Sequence, residues 1–200
     1  MIIKVCGMRD AENIREVEAL GIDLMGFIFW PKSSRYVNER PAYLPTQCKR
    51  VGVFVDEDVN TIKKLANDYA LDYIQLHGSE SPEYVQQLRN WQVIKAFNIA
   101  TTEDLEATKT YEGIVDYFLF DTKGKSVGGN GEKFDWSVLE AYHGDTPFLL
   151  SGGIGPDDAE RVRAFHHEKC IGIDLNSKFE ISPAFKDINK LREFIKEIRL

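Results

Sequence analysis

No apolar run in these 200 residues approaches the roughly 18 that a membrane span needs, so no membrane association is expected. Cysteine is scarce: Cys6, Cys48 and Cys170 lie far apart with no C-x-x-C pair and no secretory apolar region before them. Neither a disulfide framework nor a zinc site is expected from that pattern. A reducing cytoplasm is the expected compartment, and there a free thiol stays usable. Positive charge is also in short supply, with 25 Lys and Arg against 32 Asp and Glu for a net −7. That sign argues against nucleic acid as the main partner. An anionic small molecule stays open, because backbone N–H groups and a few placed basic side chains can build a local positive field. The pattern G-x-G-x-x-G is missing after the first apolar run, which speaks against a dinucleotide-binding sheet. No histidine and carboxylate set has metal-ligand spacing.

What is present is a rhythm of short runs rich in Val, Ile and Phe, at 2–6, 24–29, 51–55, 73–76, 93–97, 115–120, 147–151 and 170–175. Each suits a strand buried on both faces. Stretches with helical spacing lie between them, as in Ala11-Ile14-Val17-Leu20 and Val59-Ile62-Leu65-Ala66. Asp10, Ser81 before Pro82, Thr102 and Asp135 stand where N-caps belong, and Gly21 and Gly113 near helix ends. Eight strands each followed by a helix, with no long linker, predict one (β/α)8 barrel over residues 1–200. A doubly wound open sheet is the main rival.

Strand alternation then says which residues face inward. With Ile3 and Val5 packed outward on helices, Lys4 and Cys6 point into the barrel. Gln75 and His77 share one face, as do Tyr117, Leu119 and Asp121, and likewise Gly172 and Asp174. Polar side chains thus collect at the C-terminal strand ends, where barrels place their active sites. Cys6 closes the first run and Asp121 the sixth, a thiol and a carboxylate suited to base and acid work. Cys6 read alone is equally a small core residue, and Asp121 a cap or loop bridge. A carboxyl after three apolar residues is expected to be partly desolvated, and Lys4 is expected to favour the Cys6 thiolate. Ser151-Gly152-Gly153-Ile154 ends the seventh run and Asp174-Leu175-Asn176-Ser177 the eighth, the two loops from which barrels often bind phosphate. Arg35 offers a planar fork for a carboxylate or phosphate, and His77 either bonds a substrate or holds its loop.

These residues fall in ordered motifs that resemble the phosphoribosylanthranilate isomerase family of tryptophan biosynthesis. The motifs are Lys4-Val5-Cys6-Gly7, Gly26-Phe27-Ile28-Phe29 with Ser34-Arg35-Tyr36, and Gln75-Leu76-His77-Gly78 with Glu80. Phe120-Asp121, Gly128-Gly129-Asn130-Gly131 and Phe134-Asp135-Trp136 continue the order. Ser151-Gly152-Gly153-Ile154, Gly172-Ile173-Asp174-Leu175-Asn176-Ser177 with Glu180, and Lys186-Asp187 complete it.

The resemblance implies a (β/α)8 barrel that performs an Amadori rearrangement of N-(5-phosphoribosyl)anthranilate. It further implies Cys6 as general base, Asp121 as general acid and Arg35 on the anthranilate carboxylate. Gln75, His77, Ser151, Gly152, Gly153, Asp174, Asn176 and Ser177 would line the substrate, with phosphate on the last two loops. No metal or organic cofactor is expected, because the substrate's own nitrogen serves as electron sink. The partner is then a phosphorylated small molecule and the protein a monomer or homodimer. Two departures stand out: no proline precedes Arg35 in Ser33-Ser34-Arg35, and Lys178 stands where the family usually has glycine. Two other readings stay open. One is another sugar-phosphate isomerase barrel, such as that of histidine biosynthesis, which would carry aspartate where Cys6 stands. The other is a non-catalytic barrel that binds a phosphorylated metabolite, with no reason to keep both Cys6 and Asp121.

Overall fold

The computed structural model describes residues 1–122 and 135–200. Eight parallel strands close into a barrel in chain order: β1 (Ile2–Val5), β2 (Leu24–Ile28), β3 (Lys49–Phe54), β4 (Tyr73–Leu76), β5 (Gln92–Ile99), β6 (Tyr117–Thr122), β7 (Phe148–Ser151) and β8 (Cys170–Leu175). The last pairs with the first, Lys4 opposite Asp174. All eight apolar runs therefore form strands, within a few residues of the expected bounds.

The alternation holds. Ile3 and Val5 are buried against the outer layer, in a core shared with Ile14 and Val17 of α1 (Ala11–Glu18) and Ile62 of α2 (Val59–Asp68). The barrel interior is a separate apolar plug of Leu24, Val51, Tyr73, Ile94, Ala96, Leu119 and Leu149. Branched and aromatic side chains fill it, so the barrel is a packed core and not a pore. The C-terminal α5 (Ile188–Ile198) buries Leu191, Phe194, Ile195 and Ile198, a stripe at helical spacing.

Three expected caps are in place. The Asp10 carboxylate accepts from the N–H groups of Glu12 and Asn13, the Ser81 hydroxyl from Tyr84 at α3 (Pro82–Gln86), and Asp135 from Ser137. The fourth is displaced by one residue: Thr102 begins a 3-10 helix through Tyr111, and Thr101 precedes it.

The expectation of a helix after every strand needs correction. The 29–48 connection between β2 and β3 contains no helix. Pro31, Pro41 and Pro45 interrupt it, each lacking the N–H a helix would use. After β5 and β6 the chain forms 3-10 helices, at Thr102–Tyr111 and Trp136–Ala141. After β7 a 3-10 turn (Pro156–Asp158) runs into the short α4 (Ala159–Ala164). An element absent from the sequence reading also follows β8: a hairpin of β9 (Glu180–Ser182) and β10 (Phe185–Lys186). Among the described residues no helix is long and apolar enough to cross a membrane.

Candidate active site

At the C-terminal strand ends lies a cavity of about 200 Å³ lined by Cys6, Gln75, His77, Asp121, Ser151, Gly152, Gly153, Asp174, Asn176 and Ser177, among others. The sequence-predicted site residues are thereby gathered at one place, with one exception, Arg35. A wider groove of about 640 Å³ opens at the opposite ends of β1 to β3. Its carboxylates are committed to structure: Asp23 accepts from the Ile3 N–H and Asp72 from the Arg50 N–H and the Lys49 ammonium.

Cys6 follows β1, its N–H bonded to the Leu175 carbonyl of β8. The thiol is buried, and a Cβ added to Gly26 of β2 would stand 2.7 Å from its sulfur, so a glycine there makes room for it. Burial pushes this thiol up, Lys4 and Lys186 oppose that, and Asp174 adds to it. The net direction is upward: Lys4 favours the thiolate, as expected, but burial outweighs it. Lys4 is itself fully enclosed, with Nζ 2.7 Å from Asp174 Oδ1. Burial works against its charge, yet Asp174 and Cys6 together keep its pKa above the ordinary value. Ser151 donates to the other Asp174 oxygen at 3.2 Å.

Across the barrel, Asp121 near the end of β6 keeps a quarter of its side chain exposed and faces His77 Nε2 at 3.6 Å. Gln75 Nε2 lies 3.4 Å from His77 Nδ1. Its Oε1 is buried without a hydrogen-bond partner among the described residues, and the residue lines the cavity. The His77 loop is pinned by Glu80, which accepts from the N–H groups of Asp56 and Gly78 and from Lys95.

The β7 and β8 exits supply the other wall. Gly152 and Gly153 have φ of 95° and 71°, a conformation that lets successive N–H groups turn toward an anion. Gly7 is needed for a different reason: at φ 78°, a Cβ would lie 2.7 Å from the Arg35 stem and 2.8 Å from Asn176 Oδ1.

Arg35 does not line the cavity. Its Nε and Nη2 clamp Glu180 at 2.9 and 2.6 Å, while Glu180 also takes Lys186 at 2.7 Å. Burial raises the Glu180 carboxyl, but hydrogen bonds from Arg35 and Lys186 outweigh it and hold it below the ordinary range. Lys186 also donates to Asn176 Oδ1 at 2.8 Å, and its backbone is gripped by Asn13. Glu180 and Lys186 form part of the site's support, and neither stood out as a site residue by sequence. Both belong to short motifs at the chain's end, but a buried lysine in a two-residue strand leaves no periodic trace. Gly128-Gly129-Asn130-Gly131 and Phe134 lie outside the described residues.

The sequence and the fold match known proteins. Residues 3–197 match the family model described as N-(5'phosphoribosyl)anthranilate (PRA) isomerase. The N-(5'-phosphoribosyl)anthranilate isomerase of Parabacteroides distasonis is 54% identical, over 99% of this chain and 93% of its own length. The crystal structure of phosphoribosyl anthranilate isomerase from Thermotoga maritima superposes with a TM-score of 0.84 at 30% identity, over 100% of this chain and 99% of that one. A crystal structure of phosphoribosyl anthranilate isomerase in complex with reduced 1-(o-carboxyphenylamino)-1-deoxyribulose 5-phosphate gives 0.82 at 29% identity, over 100% and 99%. With a thiol and a carboxylate facing one cavity at the barrel's C-terminal end and a match over nearly every residue, the chain belongs to the N-(5'-phosphoribosyl)anthranilate isomerase family.

Proposed function

We propose that Cys6 and Asp121 are the base and acid with which this barrel isomerises N-(5'-phosphoribosyl)anthranilate. The reaction is the Amadori rearrangement to 1-(2-carboxyphenylamino)-1-deoxyribulose 5-phosphate, a step of tryptophan biosynthesis. Protonated Asp121 gives its proton to the ribose ring oxygen while the C1–O bond breaks and the aniline nitrogen's electron pair forms C1=N⁺. The iminium charge acidifies the C2 hydrogen. The Cys6 thiolate removes that proton, and the C–H electrons neutralise the iminium as an enolamine. Gain of a proton at C1 and loss of the 2-hydroxyl proton give the ketone. Exchange with solvent returns Cys6 and Asp121 to their starting states.

The observation that carries the reading is the placement of Cys6 and Asp121 on one cavity from β1 and β6. The phosphate would rest on the backbone of Gly152 and Gly153 and on Asn176 and Ser177, as the ligand class of the solved relative supports. Gln75, with its unpaired acceptor, suits a hydroxyl or N–H of the substrate, and His77 orients Asp121. Arg35 would meet the anthranilate carboxylate, its Nη1 being outside the Glu180 clamp.

The test is the fluorescence-monitored consumption of phosphoribosylanthranilate by the purified protein. Wild type turns it over, while Cys6→Ser and Asp121→Asn each lose at least about 10²-fold in kcat, the usual scale for a lost general acid or base. Near-normal turnover in either variant would falsify that residue's role. An inactive wild type that still binds the product would favour the metabolite-binding barrel instead.

A further inference from the structure

Three lysines are buried among the described residues, and two of them have structural explanations. Lys95 ties β5 to the loop carrying Gly78 and Glu80, and Lys186 ties the β9–β10 hairpin to Asn176. Lys4 joins nothing that needs joining. Its partner Asp174 is already its register neighbour, in a pair of strands matched at four consecutive positions. A buried ion pair is a weak stabiliser, because desolvating both charges offsets most of their attraction. What the pair does achieve is positional: one ammonium, two residues before Cys6 on the same inward face, held by a carboxylate that Ser151 also holds.

We propose that Lys4 is a positioning residue of the isomerase reaction, an ammonium fixed by Asp174 as the counter-charge for the Cys6 thiolate. This rests on the reading of Cys6 as base. The charged groups near the sulfur are Lys4 on its own strand, Asp174 on β8, Lys186 on β10 and Arg35 beyond β2, with His77 and Asp121 facing the same cavity from β4 and β6. Burial is the largest influence and disfavours the thiolate, Lys4 is the next and favours it, and Asp174 and Lys186 follow with opposite signs. Removal of Lys4 therefore takes away the strongest influence that opposes burial.

The experiment is a pH titration of ¹³Cβ-labelled cysteine by NMR, which reads each thiol whether or not a reagent can reach it. Cys48→Ser and Cys170→Ser variants assign the resonances. Lys4→Met is expected to raise the Cys6 midpoint by about one pH unit or more, the scale of a lost adjacent charge. Lys4→Gln, which keeps a donor for Asp174 but no charge, is expected to do the same and serves where the methionine variant folds poorly. Lys4→Arg should restore the midpoint. In turnover, kcat near neutral pH falls about tenfold and recovers as pH rises, with KM little changed. An unchanged or lowered midpoint in a folded, uncharged variant overturns the proposal, as does activity lost equally at every pH. Turnover by Cys6→Ser bears on the base assignment alone, so failure of that reading is told apart from failure of this one.

Discussion

Glu180 accepts from two nitrogens of Arg35 and from Lys186, so one carboxylate sets the pose of two cations beside the cavity. An arginine held through Nε and Nη2 has lost most of its rotamer freedom before a ligand arrives, which lowers the entropy cost of a further contact at Nη1. Arg35→Ala is expected to raise KM for phosphoribosylanthranilate about tenfold or more, the scale of a lost charge-assisted hydrogen bond, with a smaller effect on kcat. Glu180→Gln should raise KM less, by loosening the fork without removing it. Steady-state kinetics with substrate generated in situ checks both, and an unchanged KM in Arg35→Ala rejects the role. At this scale the sequence reveals residue chemistry but not partnership. Arg35 is recognisable as a planar fork after the second strand, whereas its clamp stands 145 positions later. Similarly, Cys6 is legible as a thiol at a strand end, but the balance of burial against Lys4 depends on how tightly β2 closes over it.

The strands carry the site because their alternation is rigid, and the seam where β8 meets β1 leaves no room for a side chain at Gly172. A Cβ on Gly172 would fall 2.2 Å from the Ile2 carbonyl oxygen, a backbone atom that no side-chain rotation can move. Gly172→Ala is therefore expected to cost about 1–3 kcal/mol of stability, in the range for overpacking a closed core. Urea unfolding measures it, and a midpoint equal to wild type would show that the seam yields. All eight strands were legible because a buried parallel strand writes itself as a short apolar run. The outer layer was less so. A proline-interrupted 29–48 segment and the 3-10 helices show no strong helical stripe; Leu105 and Thr108 are the buried residues in Thr102–Tyr111. The β9–β10 hairpin escaped because strands of three and two residues are too short to alternate visibly.

Across the molecule, burial affects more than the Cys6 thiol. It pushes Cys48 up to about 12, Cys170 to about 11 and Tyr84 to about 12, and raises Tyr73 and Tyr142 as well. Above the ordinary thiol range near pH ~8.5, the unfolded chain has released protons that the folded chain retains. Stability then falls as pH rises. Lys186 works the other way, since burial lowers its pKa, but it is one group against several. The urea midpoint is expected to drop between pH 7.5 and pH 10, and Cys48→Ser with Cys170→Ala to recover part of the loss. A midpoint that is flat over this interval contradicts the prediction.

The pairing of Lys4 with Asp174 spans 170 positions of sequence. During synthesis Cys6 is made well before the carboxylate that fixes its neighbouring ammonium, which comes only with the eighth strand. Because that strand must dock before the thiol's surroundings are complete, the Cys6 environment is assembled only when β8 joins β1. On the proposed reading, a chain cut short before that strand lacks Asp174 as well as the loop of Asn176 and Ser177, so such products are expected to be silent, not merely weak.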